Sequence, residues 1–128
     1  LGEMMLTVYP PVTASGDLNE QGLSVLGTAG EFDILVTGDM AGSTERRLAE
    51  IYDLPDVEVL VVSHHGSRYS SDAAFLQAIR PETAVISVGD NSYGHPAQET
   101  LDRLTEAGAS VWRTDEQGAV RITVNGGN

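Results

Sequence analysis

VLVVSHHGSRYSS, residues 59–71, changes character at its fifth position. From Val57 to Val62 only Glu58 interrupts an apolar, β-branched run, and such a run predicts a strand covered on both faces. From Ser63 onward the stretch turns polar, with His64, His65, Gly66, Ser67, Arg68, Tyr69, Ser70 and Ser71. In α/β proteins the chemistry sits where the chain leaves a strand's carboxyl end for a helix. Gly66 lets the backbone turn tightly or come close to a ligand. The adjacent imidazoles offer metal ligation, proton transfer or a charged hydrogen bond to phosphate. The plain alternative is a polar loop with two surface histidines.

On the amino-terminal side, residues 3–9 (EMMLTVY) predict a strand that Pro10-Pro11 must end. Residues 12–22 read as a loop. LSVLGTA (23–29) and FDILVT (32–37) predict a hairpin turning at Gly30-Glu31. After Gly38-Asp39, Ser43 is the expected N-cap of a helix reaching about Asp53, with Leu48, Ile51 and Tyr52 on its apolar side. On the carboxyl side, Ser71 or Asp72 caps a helix carrying Ala73, Phe75, Leu76 and Ile79, and Pro81 stops it. TAVISV (83–88) predicts another buried strand, followed by the polar loop GDNSYGHP (89–96). Pro96 suits the first turn of a third helix with Leu101, Leu104 and Ala107, ended by Gly108. Residues 109–113 and 119–124 predict a closing hairpin around Asp115 to Gly118. The expected architecture is α/β: leading hairpin strands, three strand–loop–helix units and a final pair.

At 128 residues the chain suits a single domain, 1–128, with no repeat or linker. It holds 19 acidic residues against seven arginines and no lysine, a net charge of -12. Such a surface repels nucleic acid, because phosphate attraction dominates non-specific binding. Bound metal ions would reverse the field inside a cleft. The chain has no cysteine, which excludes disulfides and zinc–thiolate sites. No apolar run approaches the roughly 20 residues of a membrane span. Leu1 is not an initiator methionine, which points to a piece of a longer product.

Asp39, His64-His65 and His95 each follow a β-rich run and precede a helix. If those strands share one sheet, the three loops converge at its edge. A carboxylate and imidazoles form a ligand set suited to zinc or manganese, and Asp39 has two oxygens with which to bridge two ions. Two ions would clamp the attacking and leaving oxygens of a phosphodiester. Singly, each residue has a simpler reading, Asp39 as a helix cap and His95 as a turn residue. Asp53, Asp56, Glu82 and Glu106 read as solvated surface.

TGD (37–39), VVSHHGSRYSS (61–71), ISVGDNSYGHP (86–96) and WRTDEQGAVRI (112–122), in that order, resemble the metallo-β-lactamase-fold domain of ComEC competence proteins. The resemblance covers residues 3 to 124. It implies a DNA-uptake membrane protein with this domain outside the cytoplasm, and a metal-dependent phosphodiesterase or nuclease acting on DNA. Residue by residue, it implies that Asp39 is the metal-bridging aspartate and His95 a metal ligand. It further implies that His65 is directed at a substrate phosphate, with His64 the less certain of the pair. Ser67, Ser70 and Tyr93 would bind substrate or hold the loops.

The family's HxHxDH motif occurs nowhere in this chain. The resemblance therefore implies the carboxy-terminal half of a four-layer αββα sandwich, a mixed sheet with helices on one face. Such a half would be inactive alone and would hold zinc or manganese weakly. Its partners would be the missing amino-terminal half, the membrane domains, and a second copy meeting it sheet to sheet. Two other readings stand beside this one: a phosphorylcholine-esterase-like hydrolase fragment of the same fold, and a non-enzymatic acidic α/β regulatory module.

Overall fold

In the computed structural model of the chain, residues 4–10, 24–38, 40–89 and 94–123 are described, with the backbone alone for His64 and Gln117. Six strands form one sheet in sequence order: β1 (Met4–Tyr9), β2 (Ser24–Ala29), β3 (Phe32–Val36), β4 (Val59–Val61), β5 (Thr83–Ile86) and β6 (Ser110–Arg113). The first three pair antiparallel, and β3 to β6 run parallel. Between the parallel strands lie helices α1 (Gly42–Ile51), α2 (Ala73–Ile79) and α3 (Gln98–Glu106). Each crossover steps to the next strand in the same direction. Right-handed connections of that kind put all three helices on one face. The expectation of an α/β fold with a mixed sheet therefore holds.

Registered side chains show how unequal the two faces are. Leu26, Leu35, Leu60 and Ala84 lie in one row across β2 to β5 and are buried. They pack with Met40, Leu48, Phe75, Leu76, Ile79 and Leu104 into the core. The alternate rows are apolar too. Val8, Val25, Val36, Val61, Val85 and Trp112 align across all six strands. Beside them, Met4, Leu6 and Ile34 gather over Gly27, whose missing side chain gives them room. Among the described residues no helix covers this face. Met4 is 62% exposed, Leu6 63%, Val8 54%, Val36 38% and Trp112 46%.

Local chemistry explains the boundaries. Asp72 caps α2, its Oδ2 accepting from the amides of Ala74 (3.0 Å) and Phe75 (3.2 Å). The expected cap of α1 at Ser43 is corrected: the helix begins at Gly42 after Ala41. Gly42 N–H donates to Tyr69 O at 2.6 Å, so a carbonyl of a neighbouring loop satisfies the first amide of the helix.

The closing hairpin is also corrected. After β6 the chain makes a short helical turn, α4 (Thr114–Gln117), and residues 119–123 form no strand. Arg113 draws both following acids back, donating to Asp115 (2.8 and 3.0 Å) and lying 3.2 Å from Glu116. That spacing closes a helical turn. Thr114 Oγ1 exchanges hydrogen bonds with the N–H and C=O of Val88, both 2.8 Å, pinning the turn to the end of β5.

Candidate functional site

The loops after β3, β4 and β5 leave the sheet at the same edge and are fastened to one another largely through main-chain atoms. Ser70 Oγ donates to Met40 O at 2.6 Å, Gly42 N to Tyr69 O at 2.6 Å, and Thr37 Oγ1 shares a hydrogen bond with Ser63 Oγ. These three ties bracket position 39. On the other side, Ala97 N donates to Gly66 O at 2.9 Å and Thr100 Oγ1 to Ser67 O at 2.8 Å. Gly66 abuts Pro96, so the loop holding His65 meets the loop holding His95.

That contact gives a direct test. Gly66 has φ +82°, and an added Cβ would stand 2.6 Å from Pro96 Cβ and 3.0 Å from its Cα. Gly108 has φ +91° but open space around it. Thermal melts should show Gly66→Ala destabilised by at least about 2 kcal/mol, clash and strain combined. Gly108→Ala should cost only about 1 kcal/mol, the strain alone. Equal losses would show that the two loops do not bear on each other.

His65 is exposed and sits in the left-handed region, φ 52°. Its Nδ1 hydrogen-bonds to Ser87 O. A carbonyl only accepts, so Nδ1 carries the proton and Nε2 remains to accept from, or when protonated donate to, a ligand. His95 is partly buried. Asp39 and Tyr93 lie outside the described residues, as does the side chain of His64. Ser67 and Ser70 are buried within the frame: Ser67 Oγ accepts from Tyr69 N at 3.2 Å, and Ser70 Oγ is engaged by Met40 O. Among the described residues no three histidine and carboxylate side chains gather to hold a metal ion.

Two functional-looking residues escaped the sequence reading. Arg103, on α3, donates to the carbonyls of Ser71 (3.0 Å), Arg68 (2.9 Å) and Ser70 (2.9 Å), and to Thr100 Oγ1 (3.2 Å). It holds the carboxyl end of the histidine loop. Glu45, on α1, is wholly buried. Its Oε2 accepts from Ser63 Oγ at 2.7 Å and its Oε1 from Asp72 N at 2.9 Å. Burial pushes this carboxyl up to about 7, and the charge of Asp72 adds to that; hydrogen bonds from Asp72 N, Ser63 and Ser71 N oppose it.

Comparison with known proteins agrees with the loop motifs. No family model matches the sequence. The chain is 34% identical over 104 residues to ComE operon protein 3 of Bacillus subtilis, a match covering 80% of this chain and 13% of that protein. It is 40% identical over 102 residues to competence protein ComA of Neisseria gonorrhoeae, covering 77% of this chain and 15% of the relative. With recombination protein 2 of Haemophilus influenzae it shares 32% over 105 residues, 81% of this chain and 13% of the other. The chain thus spans only about a seventh of the length of the curated relatives it matches. The chain is similar to one segment of these competence and recombination proteins.

Proposed function

We propose that this chain is the carboxy-terminal half of a metallo-β-lactamase-like αββα domain, and that the domain hydrolyses phosphodiester bonds of DNA during uptake by a larger membrane protein. The observation that carries the reading is the fastened edge of three strand-end loops, with an exposed, oriented His65 beside the loop of His95. The similarity to competence proteins supports DNA as the substrate. The helix-free apolar face supports the sandwich, because in that fold a second sheet packs against it. Among the described residues no helix is long and apolar enough to cross a membrane, so the membrane-spanning part would belong to the rest of the larger protein, with this domain outside the cytoplasm.

The donor set fits zinc or manganese, since carboxylate and neutral imidazole both suit such ions. Asp39 and His95 would hold the metal, with the remaining ligands supplied by the half of the domain that carries HxHxDH. Bound metal would supply charge to polarise the phosphate and offset the acidity of the surface. His65 does its part from this chain. With Nδ1 held by Ser87 O, its Nε2, when the ring is the imidazolium, is oriented to donate to a non-bridging phosphoryl oxygen and stabilise the charge that develops there.

The purified chain with added Zn²⁺ or Mn²⁺ should leave DNA intact, and a longer chain that includes the HxHxDH segment should hydrolyse it. In the longer chain Asp39→Ala should abolish turnover, and His65→Ala should lower kcat by roughly 10²–10³-fold. Robust hydrolysis by the 128-residue chain, lost in Asp39→Ala, would overturn the half-domain reading. A longer chain that binds DNA without cleaving it would overturn the nuclease.

A further inference from the structure

Glu45 grips the neck of the histidine loop. One carboxylate oxygen takes the hydroxyl of Ser63, which opens the 3₁₀ turn Ser63–Gly66; the other takes the amide of Asp72, where the loop ends and α2 begins. Between those two points lie His64 and His65. Ser63 Oγ donates to Glu45, so its hydrogen bond with Thr37 must run from Thr37 Oγ1 to Ser63 Oγ. The chain of hydroxyls therefore has a single direction while the carboxylate is charged.

No cation offsets that charge among the described residues. From α1, Arg46 leans toward Asp72, 3.9 Å away. From β3 and from the end of β4 come only the hydroxyls of Thr37 and Ser63. From the start of α2 comes Asp72, whose negative charge bears on Glu45. From α3, Arg103 is taken up by the carbonyls of Arg68, Ser70 and Ser71 and by Thr100 Oγ1. A protonated Glu45 has one oxygen that donates. Either Ser63 must then reverse its hydroxyl, breaking the order from Thr37, or the grip on Asp72 N must loosen.

We propose that Glu45 is a positioning residue whose charge state sets the geometry of the Ser63–Gly66 turn and thereby the placement of His64 and His65. The assignment rests on the phosphodiesterase reading only for its meaning in catalysis; the loop geometry can be tested without any hydrolysis. Because the carboxyl is pushed up to about 7, the change falls in the neutral range, where a buried switch of this kind would act on the loop's population of conformations.

The experiment follows Glu45 ¹³Cδ and the backbone amides of Asp72 and Gly66 by NMR in the 128-residue chain, titrated through the neutral range. It is run in a background carrying His64→Asn, His65→Asn and His95→Asn, the three histidines of the chain, so that imidazole titration does not contribute. All three signals should move together with one midpoint near 7. In the same background Glu45→Gln should remove the step from Asp72 and Gly66. If that variant does not fold, the shared midpoint in the Glu45 protein still decides. An Asp72 amide that titrates while Gly66 stays still would overturn the proposal, because Glu45 would then only anchor the start of α2. A ¹³Cδ midpoint in the ordinary carboxylate range would overturn it as well. Neither outcome bears on whether a longer chain cleaves DNA, so the two readings fail separately.

Discussion

Sedimentation of the purified chain at micromolar concentration is expected to show a dimer or larger species held through the bare face of the sheet. Met4, Leu6, Val8, Val36 and Trp112 stand on that face with no helix above them among the described residues. A monomer's largest apolar patch is typically about 300–600 Å². Six strands aligned in an unbroken apolar row exceed what side chains at the rim can shield. At roughly 25 cal/mol per Å² even a modest patch favours association by several kcal/mol before entropic losses. The charge of -12 per chain opposes this, yet physiological salt screens exposed charges beyond about 8 Å. A second copy is the only apolar surface present in a pure sample. Leu6→Asp with Val36→Asp should give a monomer that stays folded and no longer binds apolar dyes. A wild-type monomer without dye-binding surface would show that the chain closes this face by itself.

The second large effect is a loss of stability as the pH rises, traceable to one side chain. In the folded chain Glu45 keeps its proton up to about 7, against an ordinary value of 4.5. Between those values the folded state binds more protons than the unfolded, so raising the pH favours unfolding. The contribution of Glu45 is fully present below 4.5 and entirely lost above about 7. At about 1.4 kcal/mol per pH unit the total is on the order of 3 kcal/mol. Urea denaturation of wild type and Glu45→Gln at pH 5 and pH 8 isolates it, since repulsion among the other carboxylates is common to both. The wild type should lose more on going to pH 8, by about that amount. Parallel losses would mean that the carboxyl ionises freely in the folded chain.

Strands and loops were legible in the sequence because their signals are local. The flip at Ser63, the turn at Gly30-Glu31, Asp72 before an apolar stripe and Pro81 after it are each decided within a few residues. The cap of α1 and the chain's end were not. Ser43 has the chemistry of a cap, but Tyr69 O, 27 residues away in sequence, reaches Gly42 first. At Asp115 to Gly118 the sequence suggested the turn of a hairpin, and the pull of Arg113 on Asp115 and Glu116 made a helical turn instead. Glu45 was hidden for the same reason as Arg103. In ERRLAE, a glutamate in a helix's first turn reads as a favourable dipole partner on the surface. Only the folded arrangement shows that its acceptors serve Ser63 and Asp72, and that Arg103 serves carbonyls of a loop more than 30 residues earlier. Asp39 lies outside the described residues and its role rests on its motif; the structure describes its neighbours Gly38 and Met40, the latter tied to Ser70.

The fastening of the three loops by peptide groups has a consequence for how this edge can change. Met40, Gly66, Ser67, Arg68, Tyr69, Ser70 and Ser71 contribute carbonyl oxygens to the ties, and a carbonyl is supplied by any residue. Arg68 and Tyr69 hold out their side chains to solvent while their main chain is clamped. Those two positions can therefore be varied, by drift or by a protein engineer choosing new ligand preferences, without loosening the scaffold that sets the spacing of the loops. Diversity at the rim and rigidity of the frame are written into different atoms of the same residues.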